Sequence, residues 1–135
     1  MLVHVLRLSP GEDLRGALEA AFREISQDRG IAAACIVSAV GSLSRAVLRY
    51  AAEPAGSEIV APLELLMLSG TLSPDGAHLH ASVADAQGAV VGGHLMRGCT
   101  VRTTAEVVIA LLPGWEFRRE LDQATGFQEL VARAH

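Results

Sequence analysis

No lysine occurs anywhere in this sequence. Its eleven basic residues are all arginines, Arg118-Arg119 being the only adjacent pair, and acidic residues outnumber them to give a formal net charge of -4. The isoelectric point is near 5.7. Duplex DNA binding rests largely on neutralising phosphates with a basic patch or stripe, and neither is present. Cysteine is almost as scarce. Cys35 and Cys99 cannot make a disulfide framework, and without a Cys-x-x-Cys motif both read as small buried residues. No apolar run approaches the roughly 18 residues that span a bilayer. The start, Met1 to Arg7, lacks a basic segment followed by a small-residue cleavage site, so a cytoplasmic protein is expected.

What is abundant is aliphatic surface. Half of the 135 residues are hydrophobic although only 4% are aromatic, and mean hydropathy is +0.34. Such a composition excludes intrinsic disorder. A domain of this size buries only about two-thirds of its unfolded surface. Either an alanine- and valine-rich core or burial between subunits accounts for the excess.

The pattern along the chain predicts an α+β fold with a mostly antiparallel sheet, one long amphipathic helix and a short C-terminal helix. Residues 2–8 read as a strand. Ser9-Pro10-Gly11-Glu12 fits a capping box, with Ser9 as cap and Pro10 as first helical residue. Leu14, Leu18, Phe22 and Ile25 then follow at helical spacing, and Gly30 is a plausible stop. Residues 31–40 read as a buried strand ended by Gly41-Ser42, and residues 46–51 as a second. Pro62 separates a short strand at 59–60 from another at 63–72, which closes at the turn Ser73-Pro74-Asp75-Gly76. Residues 78–85 and 89–96 form a hairpin. Strands at 100–112 and 117–121 follow, with the terminal helix at 127–134. Residues 1–135 read as a single domain.

Chemistry concentrates in that hairpin. His78 and His80 lie two apart on a strand and so share a face. If Ala86-Gln87-Gly88 is a three-residue loop with Gly88 left-handed, Asp85 pairs with Ala89, Ser82 faces Gly92, and His80 faces His94. Opposed residues have Cβ atoms about 4.5–5.5 Å apart, close enough for the imidazoles to share one ion. A loop of two or four residues would send His94 to the other face. Three converging imidazoles leave a fourth position open for water or a ligand, which suits zinc and also nickel, copper or iron. Small neighbours, Ser82, Gly92 and Gly93, leave room beside it. Glu64 and Glu106, carboxylates in otherwise apolar strands, are candidate general acid/base groups or partners of the ligands; the plainer alternative is an exposed or ion-paired side chain.

The runs Ser9-Pro10-Gly11-Glu12-Asp13-Leu14 and Val40-Gly41-Ser42-Leu43, the block His78-Leu79-His80-Ala81 through Gly88 to Gly92-Gly93-His94-Leu95, and Thr104-Ala105-Glu106-Val107 resemble the plants-and-prokaryotes-conserved (PPC) domain family. The resemblance covers nearly the whole chain. It implies a compact α+β fold, assembly as a homotrimer, and a divalent metal ion, zinc foremost, on His78, His80 and His94. In plant members an AT-hook binds DNA and the PPC part mediates assembly and partner contacts. No Arg-Gly-Arg-Pro hook occurs in this sequence, so direct DNA binding is not expected. Where many members have Gly-Arg-Phe-Glu, this chain has Ala61-Pro62-Leu63-Glu64, so only the glutamate carries over. The family fold is also similar to that of acetolactate decarboxylase, a lyase with a three-histidine zinc. The expected function is therefore metal binding with a regulatory, DNA-associated role exerted through partners or a small ligand. The alternative is a zinc-dependent lyase or hydrolase of a small carboxylate or carbonyl compound, with Glu64 or Glu106 moving a proton.

Overall fold

The computed structural model describes every residue, Met1–His135. Its elements are β1 (Leu2–Leu8), α1 (Leu14–Arg29), β2 (Ala34–Arg49), β3 (Ser57–Ser73), β4 (Gly76–Ala84), β5 (Val90–Leu95), β6 (Thr100–Leu111), β7 (Trp115–Leu121) and β8 (Gln128–Ala134). Six strands form one antiparallel sheet in the order β1-β6-β2-β3-β4-β5. The far end of β2 also pairs with β5, Leu48 opposite Leu95 and Arg49 opposite His94, which curls the sheet round on itself. A separate two-stranded sheet, β7-β8, lies beyond it. No helix is long and apolar enough to cross a membrane.

Helix α1 buries Leu14, Leu18, Phe22 and Ile25 against the inner face of the sheet. That face supplies Leu63, Leu65, Leu68 and Leu72 from β3 and Leu79, Ala81 and Val83 from β4 to one apolar core. Arg15 clamps the helix onto the histidine-bearing hairpin, donating to the carbonyls of Leu95 at 2.9 Å and Ala77 at 3.2 Å. Gly30 ends the helix in the left-handed conformation, φ 66°, as the sequence predicts.

The helix begins later than the capping box suggests. Asp13 is the cap, its Oδ2 accepting the Gly16 N–H at 2.7 Å. Ser9 and Glu12 do interact, the Ser9 N–H donating to Glu12 Oε2 at 2.6 Å. However, Gly11 donates to the Val101 carbonyl and Val101 to that of Glu12, both at 2.9 Å. Those bonds tie the backbone of this segment to β6, so it cannot coil until Asp13.

Three further expectations are corrected. β2 does not stop at Gly41-Ser42. A Cβ on Gly41 would lie 2.2 Å from the Thr104 carbonyl oxygen, so this glycine marks a close approach of β6 rather than a turn. β3 likewise runs through Pro62. Pairing with β4 starts only at Glu64, and the β2 pairing shifts register opposite Pro62, so the missing N–H is not needed there. Finally, the C-terminal segment is not a helix but β8, paired with β7 from Trp115–Ala134 to Leu121–Gln128. The connecting loop dictates this. Asp122 Oδ1 accepts the Ala124 N–H at 2.7 Å, its own N–H donates to the Phe127 carbonyl at 2.9 Å, and Gly126 takes φ 75°.

Candidate metal centre

On β4, Ala77, Leu79 and Ala81 face the core, so the alternation of a strand turns His78 and His80 outward. The β4-β5 loop has the geometry expected of it. Asp85 donates to the Ala89 carbonyl at 3.0 Å, Gly88 donates to the Asp85 carbonyl at 3.0 Å, and Gly88 has φ 77°. His80 consequently lies opposite His94, and Ser82 opposite Gly92. The ring centroids are 5.1 Å apart for His78–His80, 5.1 Å for His78–His94 and 5.7 Å for His80–His94.

One ligand nitrogen from each of the three rings lies within 4.8 Å of the other two. A tetrahedral ion with metal–nitrogen bonds of about 2.0–2.1 Å needs these atoms about 3.4 Å apart. Small side-chain rotations close that gap. The donor set also fits electrically. A metal binds neutral imidazole, and His94 is held neutral, its pKa depressed from 6.5 to about 4 by burial first and by the Arg49 charge second. Burial, then Arg119 and His80, pushes His78 down as well.

Gly93 has a role that the sequence did not suggest. A Cβ there would stand 2.7 Å from the Arg49 carbonyl oxygen. The second glycine thus lets β5 reach β2, and that contact brings Arg49 beside His94. Two more groups come from the β7-β8 hairpin. Arg119 and Glu129 line both clefts that open at the histidines: one of about 580 Å³ shared with Arg49, His78 and His94, the other of about 330 Å³ with Ser69, His78 and His80. The sequence marked none of Arg49, Arg119 and Glu129 as a site residue, since what brings each to the histidines is the tertiary fold.

Glu64 and Glu106 are not part of the group. Glu64 is opposite Ala84, four residues along β4 from His80, and Glu106 is on β6, separated from β4 by β2 and β3. Both side chains are exposed, and Glu106 has Arg7 of β1 across from it. Cys99 is fully buried. Its Sγ accepts the Val47 N–H at 3.2 Å, and burial raises its pKa, so it is structural and unreactive.

Residues 1–113, including the whole histidine hairpin, match the model of the Plants and Prokaryotes Conserved (PCC) domain. The chain belongs to this family. Over 95% of its length, this PCC chain is 47% identical to a bifunctional protein GlmU from a Synechococcus strain, but it spans only a fifth of the length of that relative. Among solved structures, it superposes on a hypothetical protein from Salmonella enterica with a TM-score of 0.91 at 39% identity, covering 98% of this chain and 94% of that one. A metal-containing protein from Archaeoglobus fulgidus matches with a TM-score of 0.79 at 32% identity, over 97% and 94% of the two chains. The PCC match ends before β7, so Arg119 and Glu129 lie outside it.

Proposed function

We propose that this PCC chain binds a divalent metal ion, zinc foremost, through His78, His80 and His94. It works as a homotrimer with a regulatory role exerted through a partner or a small ligand at the open metal position. The observation that carries the reading is the convergence of the three imidazole nitrogens, outward-facing, at the mouth of two clefts. The metal content of the Archaeoglobus relative supports it. Metal analysis of the purified protein and of His80→Ala tests it. About one ion per chain is expected in the former, and a large loss in the variant, because two imidazoles do not complete a tetrahedral site. If neither protein carries stoichiometric metal, the reading fails.

Assembly is supported by the outer face of the sheet. Val37, Val40, Val60, Met67 and Val90 are each more than half exposed, an apolar surface that a monomer leaves in water. Catalysis by Glu64 or Glu106 as a zinc lyase or hydrolase is not advanced, because neither carboxylate belongs to the histidine group.

A further inference from the structure

Five of the eleven arginines, Arg15, Arg45, Arg97, Arg118 and Arg133, have a carboxylate ion-pair partner within 4.0 Å. Arg49 and Arg119 have none, and both line the cleft at the histidines. Arg119 is nevertheless held firmly. Its Nη2 donates to Thr71 Oγ1 at 2.8 Å, and its backbone N–H donates to Asp75 Oδ2 at 2.9 Å. A half-buried guanidinium fixed by a hydroxyl rather than a carboxylate keeps donors free for a ligand, and its flat fork matches an oxyanion.

The acidic groups in the wall, Asp75 and Glu129, act on Arg119 through their charge but form no ion pair with its guanidinium. Asp75 lies 3.6 Å from Arg118, and Glu129 accepts the Thr125 hydroxyl at 3.1 Å. The exposed Ala52 and Phe127 give the same cleft an apolar side. Bare inorganic anions have no use for that surface, whereas a short carbon skeleton does.

We propose that this cleft binds a small organic carboxylate, its charged end on Arg119 with Arg49 alongside and its carbon body against Ala52 and Phe127. The proposal rests on the metal reading only in that the ligand sits next to the ion the histidines would hold; the two arginines act with or without it. They thereby decide which ligands reach the open position, and the β7-β8 hairpin is the element that sets this selectivity.

The test is a titration of the metal-free and the zinc-loaded protein with butyrate, with its neutral isostere butyramide and with inorganic phosphate, following the arginine side-chain Nε resonances by NMR. Butyrate is expected to move the Arg119 and Arg49 signals to saturation, more tightly than phosphate, while butyramide moves neither. Arg119→Gln should weaken butyrate about tenfold or more, the size expected for one charged hydrogen bond. Arg49→Gln, which removes no hydrogen bond within the fold, should weaken it in the same direction. Equal response to butyrate and butyramide, tighter phosphate, or unchanged affinity in both variants overturns the proposal. Visible absorption of added cobalt(II) reports the metal reading separately: a chain that rejects cobalt yet binds butyrate through Arg119 refutes that reading and keeps this one.

Discussion

His94 is the residue on which charge, burial and metal chemistry meet. Its imidazole has a depressed pKa of about 4 in the fold, against 6.5 for an ordinary histidine. Between these values the unfolded chain binds a proton that the folded chain does not, so stability rises with pH across this window. The metal-free protein is therefore expected to lose thermal stability as pH falls from about 6.5 through about 4, and His94→Gln to flatten that part of the profile. A melting series across this pH range reads the slope; identical profiles for the two proteins would refute it. At Gly93 the constraint is steric. The Arg49 carbonyl is backbone and cannot swing aside from an added methyl, so Gly93→Ala should part β5 from β2 at a cost of about 1–3 kcal/mol. Urea denaturation measures this, and an unchanged midpoint would show that the β2-β5 contact is slack. The histidine pair at 78 and 80 was legible from strand periodicity. The partners of Gly93 and of Arg119 were not, because they lie 44 or more positions away in the chain and no local pattern encodes them.

At the scale of elements, the two hairpins make an instructive pair. In β4-β5, Asp85 accepts the backbone N–H groups of Gln87 and Ala89 at 2.9 and 3.0 Å, and Gly88 supplies the left-handed residue. That loop fixes the register, and the register alone puts His94 on the face of His80. Inserting one residue between Ala86 and Gln87 should turn His94 away or force a bulge, and metal content should fall nearly as far as in His80→Ala while the far-UV circular dichroism stays sheet-like. Retained stoichiometric metal would mean that the loop absorbs the insertion. The β7-β8 hairpin uses the same device, Asp122 with Gly126. There the aspartate-to-glycine spacing was the available signal, yet the stretch after Phe127 read as a helix, since Leu130, Val131 and Ala134 also fit helical spacing. Pairing along seven positions with β7 decides the ambiguity in favour of the strand.

For the whole molecule, the excess of aliphatic side chains divides in two. One part fills a core of 26 residues between α1 and the curled sheet. The other remains on the outer face of the sheet and at β1, where Val5 is 66% exposed. A homotrimer is expected to bury much of it, and light scattering after size exclusion should give three times the 14.2 kDa chain mass. Val60→Glu and Met67→Glu, which alter no buried residue, should shift the mass towards the monomer. A monomer in the unmodified protein would refute the assembly.

The sequence by itself determined the fold class, the long helix and its glycine stop, and the histidine hairpin, whose register the structure then fixed through the three-residue loop. Each depends on periods of two or 3.6 residues, or on a turn a few residues long, and these are local. It also set the chemistry of the three imidazoles and the negative net charge. Only the tertiary structure decided that Asp13 rather than Ser9 caps the helix, that Gly41 and Pro62 sit inside unbroken strands, and that Arg49 and Arg119 flank the histidines. Those outcomes depend on which strand lies next door, and they rest on backbone pairing between residues distant in the chain.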